Sequence, residues 1–411
     1  MYVKRKLEDT ILKYIDTPEI IAVVGPRQSG KTTLLNKIFS GLKRTECVSF
    51  DDKKILNLFE NDIDSFREMY AKNLAYLFID EFQYAKNGGQ KLKYIFDQNK
   101  KENKKVKIFI SGSSAIDLVI NATKYLVGRV FIFNLYPFDF EEYLRYHDKN
   151  LLPLFLNGNK CFKNGEKFGM SQETQNLMLK HFDKYVLYGG YPRVVLSKSV
   201  EEKKEVLKNI YNTYFLREVR DILGLIDDYK LEKLIRGLSL QIGNLIDYGE
   251  LGILSEYSYP TLKKYLNFLE KTFVCSRIRP FYKNKRIEIV KNPKVYFFDT
   301  GLRNYIADDF RSLENRGDLG ELLENAVFGQ LVKNEYSFNY WRTKQKQEVD
   351  FILRLSGGRE LGLEVKNNFK EIPRAFFTIK SIHKKMNLAV VARKRCDQKN
   401  DINCYPIFVV G

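Results

Sequence analysis

The residues able to do chemistry fall into two groups, far apart in the chain. The first is GPRQSGKT, residues 25–32, which fits the spacing G-x4-G-K-T at Gly25, Gly30, Lys31 and Thr32. Glycines let backbone N–H groups wrap a phosphate, and a helix starting at the loop's end adds the positive end of its dipole. Gly25, Pro26, Arg27, Gln28, Ser29, Gly30, Lys31, Thr32 and Thr33 are therefore expected to bind the phosphates of ATP. Lys31 reaches the β- and γ-phosphates in this reading, and the Thr32 hydroxyl holds Mg²⁺. LAYLFIDEFQ, residues 74–83, supplies the acidic partner: Asp80 for the Mg²⁺ shell and Glu81 as general base for the attacking water. The plainer alternative is that Asp80 and Glu81 only end a strand and cap a helix.

The second group is EVDFILRLSGGRELGLEVK, residues 348–366. Read as two strands around a turn centred on Gly357, it sets Asp350 and Glu364 directly opposite, seven residues either side. Lys366 falls on the same face as Glu364. Directly opposed Cβ atoms stand about 5 Å apart, and like charges there are destabilising, so something must offset the repulsion. A divalent cation does so, since hard Mg²⁺ prefers carboxylate oxygens and water; a lysine paired with one carboxylate also helps. Otherwise the hairpin is a solvated charged face of little consequence.

Elements must carry these groups. Ile20–Val24 reads as a buried strand before the loop, and Leu34, Leu35 and Ile38 as the apolar face of a helix after it. Further strands at 47–50, 106–111 and 130–135 alternate with helical stretches, which predicts a parallel sheet with helices on both faces. One strand falls between the two nucleotide motifs, as in NTPases of the additional-strand class. In ISGSS, Ser111 or Ser113 senses a γ-phosphate or caps the next helix, and Arg129 is an arginine finger, a sensor or a structural residue. Residues 155–169 are polar and contain glycines, and read as a loop or excursion. Residues 205–226 read as a long helix. Residues 231–278 read as three helices, and strands near 273–280 and 294–299 add a wing; Tyr259, Thr261, Lys263 and Lys264 then face a major groove.

Lys and Arg outnumber Asp and Glu by 69 to 51 over 411 residues, a net charge of +18. That balance points to a polyanionic partner, nucleic acid before an anionic membrane surface, unless the lysines are simply solvated. Five scattered cysteines and three histidines make a zinc site implausible and reduced thiols the simple expectation. No apolar run approaches the roughly 18 residues of a membrane span, so a cytoplasmic protein with no membrane partner is expected.

GPRQSGKTTL, FIDEFQ, SGSS, LVGR, LYPFDFEEYL, YGGYPRVV and PKVYFFDTGLRN together resemble bacterial and archaeal AAA-type ATPases that carry a C-terminal domain of unknown function of the DUF4143 type. The resemblance runs from residue 20 to the end. It implies an ATPase core, a middle helical part and a nuclease-like C-terminal region; with the helix and strand pattern above, the expected α/β chain has a P-loop ATPase core at 1–145, a helical lid or linker at 146–230, a winged-helix-like domain at 231–300 and a nuclease-like domain at 301–411. The spacing Asp350 then Glu364-x-Lys366 resembles the PD-(D/E)xK nuclease superfamily, with its restriction-endonuclease-like α/β fold. That likeness implies a preceding helix, here residues 317–334, bearing a metal-binding Glu324 or Glu321. It departs where Glu348-Val349 replaces proline before Asp350. Glu324, Asp350 and Glu364 would hold Mg²⁺ for phosphodiester hydrolysis, with Lys366 orienting water or stabilising the phosphate. The expected function is thus an ATPase acting on nucleic acid, DNA more than RNA, with a homo-oligomer allowed. The rival expectations are a regulatory ATPase switch with an inactive nuclease-like binding domain, and a protein-remodelling ATPase.

Overall fold

The run IIAVV forms strand β1 (Ile20–Val24), buried at every position, as a strand covered on both faces must be. The computed structural model describes residues 2–112, 125–212, 229–282, 285–396 and 402–411. The chain divides into two units, Met1–Pro137 with Asn267–Phe273, and Phe138–Leu266 with Val274–Gly411.

In the first unit β1 joins β2 (Thr45–Ser49), β3 (Tyr76–Asp80), β4 (Lys107–Gly112) and β5 (Val130–Asn134) in the order β2-β3-β4-β1-β5. All four pairings are parallel, and β4 is the strand between the two nucleotide motifs. Helices α1 (Lys6–Leu12), α2 (Lys31–Phe39), α3 (Lys53–Asn61), α4 (Ile63–Tyr70) and α5 (Gly88–Lys101) alternate with the strands. Leu34, Leu35, Ile38 and Phe39 of α2 share a core with Ile21, Val23, Phe78 and Phe109, so the apolar face read from sequence is what seats α2 on the sheet. A five-stranded parallel sheet in this order, with a G-x4-G-K-T loop after β1, is typical of P-loop NTPases.

The second unit begins with α6 (Phe140–His147), α7 (Leu152–Asn164), α8 (Gln172–Tyr188), α9 (Pro192–Leu196) and α10 (Val200–Asn209). The acidic DFEE stretch is a capping box, with the Asp139 and Glu142 side chains each bonded to the other's backbone. The expected excursion at 155–169 is mostly helix α7 instead. Phe155, Gly158, Asn159 and Phe162 are buried along one side, and the Asn159 amide donates to Val409 O at 3.0 Å. A Cβ at Gly158 would meet Val409 and Phe168, so its glycine serves close packing, not a turn. Of the long helix expected at 205–226, the part beyond 212 lies outside the described residues.

Next come α11 (Tyr229–Leu240), α12 (Tyr248–Ser255), α13 (Tyr259–Lys271), β6 (Cys275–Ile278), α14 (Lys285–Val290) and β7 (Lys294–Phe297). The three helices are followed by an antiparallel strand pair, β6 with β7, where the winged-helix expectation put its wing. Yet β7 is no free wing: all four residues are buried. Its Phe297 N–H donates to Asn325 Oδ1 and its Phe297 carbonyl accepts from Asn325 Nδ2, both at 2.8 Å. One side-chain amide thus imitates a neighbouring strand.

The chain closes with α15 (Thr300–Ile306), α16 (Leu319–Lys333), β8 (Ser337–Arg342), β9 (Glu348–Arg354), β10 (Glu360–Phe369), α17 (Arg374–Ile382), β11 (Asn387–Cys396) and β12 (Asn403–Pro406). The sheet order is β12-β11-β10-β9-β8, antiparallel from β8 to β10 and parallel from β10 to β12. The segments expected as separate domains at 146–230, 231–300 and 301–411 therefore belong, apart from 267–273, to one unit. Their family-like motifs knit it together. Asp299 is fully buried and caps α15 at Leu302 N while accepting from Gly190 N at 2.7 Å. Gly189, at φ 78°, has no room for a Cβ beside that carboxylate. Cys47, Cys161 and Cys275 are free, but Cys404 is disulfide-bonded, against the expectation of reduced thiols. Among the described residues no helix is long and apolar enough to cross a membrane.

Candidate functional site

The loop after β1 is built as its glycines require. A Cβ at Gly25 would lie 2.1 Å from Leu135 O, and Gly30 takes φ 93° at the N-cap of α2. Gln28 also adopts a left-handed conformation, φ 58°, strain of a kind that concentrates at working loops. Lys31 is buried and turns back on the loop, donating to Gly25 O at 2.9 Å and Pro26 O at 3.0 Å. Thr32 Oγ1 donates to Asp80 Oδ2 at 2.8 Å, and buried Ser111 donates to Asp80 Oδ1. Three segments distant in sequence thus meet at one carboxylate. A hydroxyl and a carboxylate side by side form an oxygen donor set that suits a hard cation. Glu81 follows with φ 53°, and its carboxylate accepts from Gln83 Nε2. Arg27 donates to the Tyr84 hydroxyl at 3.1 Å.

Not every expected residue comes to this site. Arg129 precedes β5 at the strand's N-terminal end, where its carbonyl accepts from Ile20 N, the first residue of β1. Its side chain pairs with Asp97 at 3.1 Å and lies over Phe96. The phosphate loop leaves from the other end of β1, so Arg129 sits a strand's length from it. Ser113 lies outside the described residues. One contributor went unread in the sequence: buried Arg5 donates to Ser29 O at 2.7 Å and Tyr136 O at 2.6 Å, bracing the loop from behind. A lone arginine in a charged N-terminal segment gives no spacing signal.

The second site lies on β9, β10, α16 and β7. The β9–β10 register runs from Glu360 opposite Arg354 to Leu363 opposite Phe351, so the next step sets Glu364 opposite Asp350, as the hairpin arithmetic predicts. There the Asp350 side chain joins in, with Oδ2 accepting from Val365 N at 2.8 Å. Lys366 bonds Glu364 Oε1 at 2.7 Å, while Glu364 Oε2 is buried with no hydrogen-bond partner among the described residues. Glu324 arrives on the buried stretch of α16, which the Asn325 amide pins to β7. Glu324, Glu348 and Asp350 each offer an oxygen within 4.8 Å of the others. In the sequence Glu348 stands out only as part of the Glu348-Val349 pair that replaces proline. Its position two residues before Asp350, hence on the same strand face, was the signal available.

A lysine occupies this trio. Lys294, 1% exposed on β7, places Nζ 2.8 Å from Glu324 Oε1 and against Glu348 Oε1. The Tyr296 hydroxyl donates to the same Glu324 oxygen, and Arg342 holds Glu348 Oε2 at 2.9 Å. Burial, then the charge of Asp350, pushes the Glu324 carboxyl up to about 8. Burial and the facing carboxylate raise Asp350, and burial raises Glu364. Burial alone would lower Lys294, but Glu324, Asp350 and Glu348 more than reverse it and keep the ammonium charged. All the oxygen donors suit a hard divalent cation. Nothing in the spacing of KNPKVYFF marks Lys294 as a partner of these carboxylates. Of the expected groove residues, Tyr259 is 52% exposed and carries Lys263 Nζ over its ring at 4.4 Å.

Residues 17–144 match the family described as AAA domain, residues 179–314 a domain of unknown function (DUF8612), and residues 319–408 a domain of unknown function (DUF4143). An uncharacterized protein of Haemophilus influenzae is 28% identical over 374 residues, spanning 84% of this chain and 82% of that one. Another, from Methanocaldococcus jannaschii, is 25% identical over 82% of this chain and 72% of its own. Among solved structures, the Walker-type ATPase of Pyrococcus abyssi is similar at 13% identity and TM-score 0.43, over 74% of this chain and 96% of that one. The ORC2 protein of Aeropyrum pernix is similar at 11% identity and TM-score 0.38, over 66% and 85%.

Proposed function

We propose that this protein binds and hydrolyses ATP with Mg²⁺ and acts on nucleic acid through a divalent-cation-dependent, nuclease-like C-terminal site. The observation that carries the ATPase half is the meeting of Thr32 and Ser111 on Asp80, beside a lysine seated among loop carbonyls. Gly25–Thr33 would cradle the phosphates, and Thr32 with Asp80 would hold the metal. Bound Mg²⁺ supplies charge neutralisation at the phosphates. Lys31, now satisfied by two neutral carbonyls, exchanges them for phosphate oxygens. Glu81, steadied by Gln83, accepts the proton of the attacking water.

For the C-terminal half, the supporting observation is the opposed Asp350–Glu364 pair, with Lys366 bonded to one oxygen of Glu364 and the other oxygen buried without a partner. Asp350, Glu364 and Glu324 would hold a divalent cation, whose chemistry when bound is to lower the pKa of water and steady the leaving oxygen. Lys366 carries the positive charge able to face a scissile phosphate. The test is cleavage of supercoiled plasmid, linear duplex, single-stranded DNA and RNA by purified protein, with Mg²⁺ or Mn²⁺ and with or without ATP. Cleavage lost in Asp350→Ala supports the reading, and its loss in Lys31→Ala as well means that ATP gates it. A specific observation favours a second reading, a regulatory ATPase switch whose C-terminal domain binds without cutting: the Lys294 ammonium is already ion-paired with Glu324 and Glu348. Absence of cleavage on every substrate, with ATP hydrolysis intact, selects that second reading.

A further inference from the structure

Lys294 is out of place for a residue of a two-stranded ribbon. Its side chain is almost wholly enclosed, on a strand with four buried residues, and its ammonium reaches two carboxylates of a three-carboxylate cluster. A primary ammonium and a small divalent cation make the same demand: anionic oxygens converging at short range. They differ in capacity. An ammonium donates at most three hydrogen bonds, whereas Mg²⁺ or Mn²⁺ gathers about six oxygens. The oxygens of Glu324, Glu348 and Asp350 converge within 4.8 Å, and Glu364, facing Asp350 across the ladder, keeps a buried oxygen that nothing satisfies. Lysine therefore fills the position without saturating its surroundings.

We propose that Lys294 and a divalent cation compete for a single position enclosed by Glu324, Glu348 and Asp350, and that the folded chain fills it with its own ammonium. This rests on reading the C-terminal carboxylates as a cation site. It adds Glu348 to the ligands, and it makes metal loading a displacement. Three anchors hold the competitor in place. Glu324 and Glu348 grip the ammonium, and the Asn325 amide fixes β7 to α16, so Lys294 and Glu324 are presented by two elements locked together. Arg342 on the outer oxygen of Glu348 turns the inner one toward Lys294. A metal must therefore displace a buried ammonium before it gains these oxygens, and the wild-type chain should bind divalent cations weakly there.

The experiment is Mn²⁺ binding to the full chain without nucleotide, followed by electron paramagnetic resonance and calorimetry. Lys294→Met is expected to bind one Mn²⁺ at least roughly tenfold more tightly than wild type. Adding Asp350→Asn to that variant should remove the gain. Affinities of wild type and Lys294→Met within about threefold of each other, or a gain indifferent to Asp350→Asn, would overturn the proposal. Should Lys294→Met not fold without metal, it and Lys294→Gln are refolded in Mn²⁺. Recovery of the native fold by the cation supports the competition, and failure of both to recover overturns it. Binding and cleavage separate the two readings. Tight Mn²⁺ binding in Lys294→Met with no cleavage by any protein keeps the competition and removes the nuclease. Cleavage by wild type with affinity unchanged in Lys294→Met does the opposite.

Discussion

Each of the two sites centres on a buried lysine, and the lysines are satisfied in opposite ways. Lys31 donates to the neutral carbonyls of Gly25 and Pro26, which the oxygens of an incoming phosphate can replace. Lys294 rests on the carboxylates of Glu324 and Glu348, so its charge is already spent within the fold. Exchanging a carbonyl for a phosphate strengthens a charge-assisted bond, whereas pulling an ammonium from buried carboxylates exposes like charges to one another. The first arrangement is poised for ligand; the second is closed on itself. A lysine near acidic residues thus says little about function until its present partners are known.

The largest effect that could break this comparison is at the first site. Lys31→Ala should lower ATP hydrolysis by about 10²–10³-fold, the usual loss when one preorganised donor to developing charge is removed. Phosphate release measures it. Glu81→Gln should reduce turnover by about 10²-fold or more while leaving nucleotide affinity, read with a fluorescent analogue, near wild type. A Glu81→Gln protein with wild-type turnover would show that Glu81 merely ends β3.

Next in size is the cost of opening the second site. In metal-free protein, Lys294→Met should lose about 3–5 kcal/mol of stability, because it strands buried carboxylates without their cation. Adding Glu324→Gln should return part of that loss, a coupling that urea midpoints can resolve. Independent, additive losses would mean that Lys294 and Glu324 do not form one electrostatic unit.

The same contrast explains what could be read in the sequence. The phosphate loop is continuous, a strand, a turn and a helix in 20 residues, Ile20–Phe39, so spacing alone revealed it. The hairpin was legible for a similar reason. Strand periodicity and a turn centre decide which residues face each other, and Gly357 and Gly358 at φ 73° confirm where the turn falls. Glu324 could be placed because helix α16 precedes the hairpin in the resemblance. Lys294 and Tyr296 arrive from a strand that owes its position to Asn325, and Arg5 arrives across a distance of 24 residues to Ser29. Such encounters are made by tertiary packing and leave no local period. The glycine of α7 misled in the other direction: Gly158 looks like a turn until Val409 is seen against it.

A smaller effect sharpens the second half of the comparison through pH. Glu324 has an ordinary value of 4.5 and is pushed up to about 8 in the folded chain, with Asp350 and Glu364 shifted the same way. The folded state therefore holds more protons than the unfolded state between those two values. The contribution is fully present below about 4.5 and is lost as pH rises through about 8, with a slope of at most about 1.4 kcal/mol per pH unit for one group. Urea midpoints of metal-free protein at pH 5, 6.5 and 8 should fall along that series, and Glu324→Gln should flatten it. Saturating Mn²⁺ should oppose the fall, since a metal takes the deprotonated carboxylates. A rising series would mean that Lys294 holds all the carboxylates ionised throughout.

The smallest effect concerns a residue that belongs to neither site within one chain. Arg129 pairs with Asp97, the two side chains 31% and 37% exposed, an ion pair that ordinarily contributes well under about 1 kcal/mol. Because β5 and β1 run parallel, Arg129 sits beside Ile20 and the phosphate loop leaves after Val24. Five residues of strand at roughly 3.3 Å each lie between them. Arg129→Ala should therefore leave ATP affinity unchanged and stability nearly so. Any effect on hydrolysis must then come from a second copy of the chain, and concentration separates the cases. Specific activity that climbs with protein concentration in wild type but stays flat in Arg129→Ala assigns the arginine to a neighbour's nucleotide. Flat profiles in both leave it as the partner of Asp97, a residue that steadies the entry to β5 and nothing more.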